Sequence, residues 1–357
     1  MKTRLIYLGS RGGGAEIFRE LRFASKELEN IHEFEFIRSD GLRLSDNDFP
    51  ISNSDQVLPG LRTILMKPWR FLIFLVKFSE LTKKNKNEKN IFLMPSPLDY
   101  FVFKILKIRK QECYFLIHDA SPHPGEFWPR NRSINWRLKQ ADGLIFLSNF
   151  VFQAVKKRLN TKNYKIITHP PFSSFTGRPS ETYSNFNFSS NLPIMLFVGR
   201  IRKYKGIEIL AQYKTQIQDK FQLVIAGEGT LPEGLQGVKT INHWLTETEI
   251  RDLMFSADIL IFPYTEASQS GVIPSAIALR KRLIVADVGG LTEQIKNYSK
   301  ALTFNPDEPE TLLTTLERSL NALKEDVTLE KSDNQNDQAT FSEFLRQILQ
   351  VSRNHSM

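Results

Sequence analysis

Two cations, Arg200 and Lys205, stand in one short loop directly after the apolar run Ile194 to Val198. A run of that length ended by Gly199 reads as a buried strand, so both charges belong at the strand's open end. A guanidinium offers a planar fork to phosphate oxygens and an ammonium a point charge. A second loop follows the apolar run Ala257 to Phe262. It reads Pro263-Tyr264-Thr265-Glu266-Ala267-Ser268-Gln269-Ser270-Gly271-Val272. Glu266 is a free carboxylate there. Gly271 permits close backbone approach, and Pro274 fits the first turn of a helix. Unpaired N–H groups and the positive end of that helix would favour an anion. Gly227-Glu228-Gly229 closes a third strand with a turn that lets a ligand come near. Taken singly, these are also what ordinary basic loops and βα turns look like; their order and spacing point to a phosphorylated ligand.

The first half adds weaker signals. Gly12-Gly13-Gly14-Ala15-Glu16 is a glycine-rich turn after the first strand. Its spacing misses the Gly-x-Gly-x-x-Gly of dinucleotide folds, which counts against a nicotinamide oxidoreductase. His118 and His123 lie in the Pro-rich loop after the strand Cys113 to Ile117. Asp46-Asn47-Asp48 sits in a polar, turn-rich stretch and reads as solvated, so no metal is expected.

These loops need strands and helices to hold them. Apolar runs at Leu5–Gly9, Phe34–Ile37, Ile91–Met94, Cys113–Ile117, Gly143–Leu147 and Lys165–Thr168 read as strands in the first half. The second half restarts the alternation at Ile194–Val198, Gln222–Ala226, Lys239–Asn242, Ala257–Phe262, Arg282–Ala286 and Leu302–Phe304. Strands alternating with helices predict an α/β protein with parallel sheets in both halves, joined by a polar link at Phe172–Asn191. Expected boundaries are 1–175 for the first domain, 190–335 for the second, and 339–357 for a C-terminal helix packing back toward the first. Ligands of such folds bind at the carboxyl ends of the strands, so two halves joined by a hinge would face each other across a cleft. Ile64 to Leu81 is apolar, aromatic and basic. It reads either as a core-packing helix or as a surface helix touching anionic lipid.

Composition excludes several classes. The chain has 357 residues, is 41% hydrophobic, and suits two globular domains. Its single cysteine, Cys113, allows no internal disulfide and fits a reducing, cytoplasmic compartment. The apolar start is too short for a signal peptide, and no stretch reaches a membrane span. The net charge of +9 is compatible with nucleic acid, an anionic membrane or phosphorylated substrates. No nucleic-acid module is present. Phosphate ligands and the inner face of a membrane remain.

The pattern Phe197-Val198-Gly199-Arg200 … Lys205-Gly206, Ala226-Gly227-Glu228-Gly229, Phe262-Pro263 … Glu266 … Ser270-Gly271-Val272 … Ala276 … Ala278 and Asp287-Val288-Gly289-Gly290 … Glu293 resembles the donor-binding domain of retaining GT-B glycosyltransferases of family 4. The likeness covers residues 190 to 300 well and the first half more loosely. It implies two Rossmann-like domains and transfer of a sugar from a nucleotide-diphosphate sugar, UDP- or GDP-linked, with no cofactor. The acceptor it implies is a glycan or lipid-linked molecule of cell-surface polysaccharide synthesis. Arg200 and Lys205 would hold the diphosphate, and Glu266 would bond sugar hydroxyls. Backbone at Gly227, Gly229, Ser270, Gly271 and Val272 would face the donor, and Gly12, Gly13 and Gly14 would approach it from the other domain. His118 would lie near the transferred sugar, with His123 as an acceptor contact.

One departure stands out. The family pairs two glutamates separated by seven residues, the second binding ribose. Here Ser275 holds that second place, and the spacing from Glu266 is one residue longer. A hydroxyl cannot give a charged bidentate grip on a ribose diol. The alternative reading is therefore a non-catalytic nucleotide-sugar or glycan-binding relative.

Overall fold

The computed structural model describes residues 2–9, 13–40, 55–83, 88–121, 130–172, 192–329 and 340–351. These fall into two compact units, each built on one parallel sheet.

Unit 1 runs β1 (Lys2–Tyr7), α1 (Gly13–Lys26), β2 (Glu33–Ser39), β3 (Asp55–Leu58), α2 (Leu61–Met66), α3 (Arg70–Leu81), β4 (Lys89–Phe92), α4 (Asp99–Ile108), β5 (Glu112–Ile117), α5 (Arg130–Gln140), β6 (Gly143–Phe146), α6 (Asn149–Val155) and β7 (Tyr164–Ile166). Strand order is β3-β2-β1-β4-β5-β6-β7. The order therefore reverses between β1 and β4. Every residue of β4 and β6 is buried, as expected of strands covered on both faces.

Three local outcomes differ from the sequence reading. The first strand begins at Lys2 rather than Leu5, because Arg4 in its middle is buried rather than solvated. Arg4 ion-pairs with Glu35 on β2 and with Glu88, and donates to Gln111 Oε1 at 3.0 Å. A buried guanidinium survives only with such partners. The run Ile64 to Leu81 is not one helix. It breaks at Lys67-Pro68-Trp69, since proline lacks an N–H and disfavours helix at the residue before it. β3, α4 and α5 occupy stretches that carried no element in the sequence reading.

Unit 2 runs β8 (Ile194–Val198), α7 (Ile207–Gln212), α8 (Lys214–Gln218), β9 (Gln222–Ala226), β10 (Lys239–Ile241), α9 (Glu247–Ser256), β11 (Ile259–Phe262), α10 (Val272–Ala278), β12 (Arg282–Ala286), α11 (Leu291–Ile295), β13 (Ala301–Phe304) and α12 (Thr311–Leu329). Strand order is β10-β9-β8-β11-β12-β13, reversing between β8 and β11. Thr246 starts α9 with a reciprocal cap. Its hydroxyl accepts from Glu249 N at 3.2 Å, and Glu249 Oε2 accepts from Thr246 N at 2.7 Å.

The final helix, α13 (Phe341–Leu349), belongs to unit 1 and packs against α1. Its last carbonyls meet one buried ammonium. Lys89 Nζ donates to Ile348 O and Leu349 O at 3.0 Å each and to Val351 O, and sits 4.4 Å from the Tyr114 ring centroid. A cation there satisfies orphan carbonyls and the negative helix end together. Burial pulls Lys89 from 10.5 to about 8, with Glu112 acting the other way. The folded value lies below the unfolded one, so the unfolded chain holds the extra proton between those pH values. Stability from this group is therefore lowest below pH 8 and rises as pH climbs toward 10.5. Lys89→Met should expose residues 341–351 to hydrogen exchange. Its melting temperature should fall further behind the parent's at pH 10 than at pH 7. A constant gap would show that the ammonium is not the group responsible.

Candidate functional site

In open parallel sheets, ligands settle where strand order reverses, because the loops on either side diverge there. In unit 2 that place is β8 next to β11, and both candidate loops leave from it. They touch. Thr265 N donates to Tyr204 O at 2.9 Å, and Thr265 Oγ1 reaches the same oxygen at 3.3 Å. Gly206 ends the β8 loop in the left-handed region, φ 66°, with no room for a side chain. A Cβ there would lie 1.8 Å from Pro263 O. Gly227, after β9, serves the other flank. Its φ is 144°, and a Cβ would lie 1.9 Å from Gly199 O. Glycine at these positions lets the loops of three neighbouring strands close on one another. Gly229 is tied to the far side by Asn242, which accepts from its N–H at 3.1 Å and donates to its carbonyl at 3.0 Å.

The cations sit on this frame. Arg200 is exposed, and Lys205 is half-buried. Lys205 Nζ lies 3.7 Å from the Tyr264 ring centroid and 5.2 Å from that of Tyr204. A cation over a desolvated ring gains about 1–2 kcal/mol and loses freedom to wander. Tyr264 is buried, and its hydroxyl lies 3.4 Å from Ser270 Oγ. Burial lifts its phenol to about 12, so the ring stays neutral beneath the ammonium. Glu266 is exposed two residues further on. The arrangement puts an anchored ammonium, a guanidinium and a carboxylate on touching loops at the reversal.

The β11 loop differs from expectation at two N–H groups. Ser270 and Val272 were expected to turn them toward a ligand. Instead, Gln294 Oε1 accepts from Ser270 N at 2.8 Å, and Ser270 Oγ accepts from Val272 N at 3.3 Å. Gln294 Nε2 also donates to Ser270 O at 2.9 Å. A loop ahead of a short helix must satisfy its own donors, and α11 supplies the partner. Gly271, between them, is half-buried. Ser275 is fully buried on α10, and its hydroxyl has no hydrogen-bond partner among the described residues. A nucleoside contact at Ser275 would thus require the start of α10 to open.

Sequence reasoning missed Tyr264 and Gln294. Tyr264 read as part of a polar loop, and nothing local says that its ring lies under Lys205. Gln294 acts over 24 residues. Its side-chain amide carries no sequence signal.

In unit 1, the corresponding reversal is β1 next to β4, and the start of α1 lies against it. Gly13 starts α1, and Gly14 is buried. A Cβ on Gly14 would lie 2.3 Å from Met94 Cγ, which follows β4. His118, buried after β5, donates from Nε2 to Leu93 O at 2.9 Å. The start of α1, the end of β4 and His118 thus gather at the carboxyl ends of the central strands of this sheet. Gly12, His123 and Asp46-Asn47-Asp48 lie outside the described residues. Among the described residues, no group of three His, Cys, Asp or Glu side chains is placed to hold a metal ion.

Residues 192–322 match the family model for glycosyl transferases group 1. The matched stretch lies within unit 2. That stretch contains the loops of the β8–β11 reversal, with Arg200, Lys205, Gly206, Gly227, Gly229, Glu266 and Gly271. Among curated proteins, an uncharacterized glycosyltransferase of Methanocaldococcus jannaschii is 28% identical over 138 residues, which is 36% of this chain and 35% of that protein. The alignment spans about a third of that relative's length. Two solved structures are similar over nearly all of the chain. Sucrose-phosphate synthase from Thermosynechococcus elongatus has a TM-score of 0.67 at 16% identity, covering 98% of this chain and 94% of the other. Anabaena HepE in complex with UDP-glucose has a TM-score of 0.67 at 17% identity, with the same coverages. The fold is GT-B, with parallel sheets of seven and six strands.

Proposed function

We propose that the protein is a retaining, metal-independent family 4 glycosyltransferase of the hexosyltransferase type. In this reading it moves a sugar from a nucleotide-diphosphate sugar to a glycan or lipid-linked acceptor in cell-surface polysaccharide synthesis, on the cytoplasmic side of a membrane. One observation carries it: the tight passage of Gly206 beneath Pro263, which sets Lys205 beside the Glu266 loop at the sheet reversal of a group 1 domain. UDP- and GDP-sugars are the candidate donors, and the likeness to HepE, solved with UDP-glucose, supports testing uridine donors first.

The chemistry follows from the charges. The bond between the anomeric carbon and the β-phosphate oxygen breaks, and negative charge grows on the departing diphosphate. Lys205, held in place on Tyr264, offsets that charge without having to reorganise, and the exposed Arg200 adds a second cation. The acceptor hydroxyl attacks from the face the phosphate leaves, and its proton passes to the leaving oxygen. Glu266 accepts hydrogen bonds from sugar hydroxyls. By the family resemblance, His118 and the Gly12–Gly14 turn serve the transferred sugar.

A second reading, a nucleotide-sugar- or glycan-binding relative without turnover, draws on Ser275, where a buried hydroxyl with no hydrogen-bond partner among the described residues stands in for a ribose-binding carboxylate. A panel of UDP-, GDP-, ADP- and CMP-sugars separates the two. Calorimetry reports binding, and release of nucleoside diphosphate reports hydrolysis or transfer. Binding of one donor with slow hydrolysis supports the enzyme. Tight binding with no release, with or without glycan and polyprenyl-linked acceptors, supports the relative. No binding by any donor removes both.

A further inference from the structure

We propose that the outward face of α2 and α3 docks on an anionic lipid bilayer. An amphipathic helix on a soluble unit turns one apolar side to the core and a polar side to water. This pair is apolar on both. Ile64, Phe74 and Phe78 are buried in the unit 1 core. On the opposite side, Leu65 and Met66 are each 72% exposed, Leu72 66%, Trp69 60% and Val76 48%. The Pro68 break puts Trp69 at the corner between the helices. The face continues onto α4, where Phe101 packs against Phe71 at 4.8 Å yet stays 40% exposed.

Charge selects the occupant. Residues 61–83 hold five cations, Arg62, Lys67, Arg70, Lys77 and Lys83, against one carboxylate, Glu80. Beside them, Lys104 Nζ stands 5.5 Å from the Tyr100 ring centroid on α4. Asp40 lies 3.8 Å from Arg70 and offsets part of one cation only. A second copy of the chain seated here would set like charge against like. Protein interfaces are also depleted of lysine at their cores. An apolar strip with tryptophan at its edge and lysines around it matches the interface of a bilayer with anionic headgroups. The bulk charge of +9 acts in the same sense at longer range. Docking here would bring the chain to where a lipid-linked acceptor lies. It needs neither donor nor acceptor, so it stands or falls apart from the transfer reading.

Sedimentation of the full chain with vesicles tests this. The vesicles are phosphatidylcholine alone or mixed with phosphatidylglycerol. Binding is expected to the mixed vesicles and to weaken with added salt. Trp69→Ser with Leu72→Ser should lower partitioning about tenfold or more, and Lys67→Glu with Lys77→Glu by a similar factor. Ile31→Ser, which changes an apolar side chain that is 77% exposed in the turn before β2, should bind as the parent does. Thermal melts matched to the parent establish that the variants are folded. Absence of binding, equal salt-insensitive binding to neutral vesicles, or parent-like binding by both double variants would overturn the proposal. Self-association abolished by Trp69→Ser, without vesicle binding, would reassign the face to a second copy.

Discussion

Lys205→Ala is expected to lower kcat/KM for sugar transfer by about 10²–10³-fold, the cost of removing one preorganised group from a developing oxyanion. The loss should fall mainly on kcat, because a charge that grows at the leaving diphosphate interacts more strongly in the transition state than in the bound donor. Arg200→Ala should show a loss of the same sign with a larger share in KM, since Arg200 is exposed and, among the described residues, no ring stands against it. If both side chains act on one diphosphate, the double variant should lose less than the product of the single losses. Tyr264→Leu gives a sharper check. It leaves the ammonium in place but removes the platform that lies 3.7 Å beneath it. Activity should fall between parent and Lys205→Ala, while Tyr264→Phe should stay near the parent, since the ring carries the contact. Steady-state kinetics with the preferred donor measures all of these. A Lys205→Ala enzyme with parent-like kcat would remove the ammonium from the mechanism.

Gly206→Ala is expected to destabilise unit 2 by about 3 kcal/mol or more, combining left-handed backbone strain with a steric clash. The new Cβ would sit 1.8 Å from Pro263 O, and a backbone carbonyl cannot swing aside as a side chain can. Either the β8 loop or the β11 loop must move, which separates Lys205 from the Glu266 loop. The melting temperature should drop by about 6–12 °C, and nucleotide binding should be lost even below the transition. Gly237→Ala is the matched control. Gly237 also has a left-handed φ, 78°, but a Cβ there meets nothing within 4 Å. Only the conformational cost of about 1–2 kcal/mol applies, and binding should be unchanged. Equal melting temperatures for the two variants would mean that the loops are not locked at Pro263. Differential scanning calorimetry with and without UDP reads both effects.

Some of this molecule is written locally. The strands Ile194–Val198, Gln222–Ala226 and Arg282–Ala286 coincide with largely apolar runs bounded by turns, because a strand covered on both faces needs apolar side chains at most positions. The start of α9 is equally plain, since a reciprocal cap uses residues three apart. Other elements escaped for a common reason. The beginning of β1 was hidden because Arg4 looks solvated until Glu35, Glu88 and Gln111 are brought to it. The fate of Ile64–Leu81 could not be read from apolar content alone. The same residues serve a core face and an outward face, and only packing against the sheet separates Phe74 and Phe78 from Trp69 and Leu72.

The sequence alone determined the alternating α/β pattern in both halves and the loops that carry the charged candidates. Those follow from side-chain periodicity and turn chemistry, which act over a few residues. Tertiary structure decided which of those loops touch, that Lys205 rests on Tyr264, that Gln294 holds the N–H and carbonyl of Ser270, and that Ser275 is sealed in. Each depends on atoms from segments the chain brings together only when strand order reverses at β8 and β11, and no local pattern encodes that meeting.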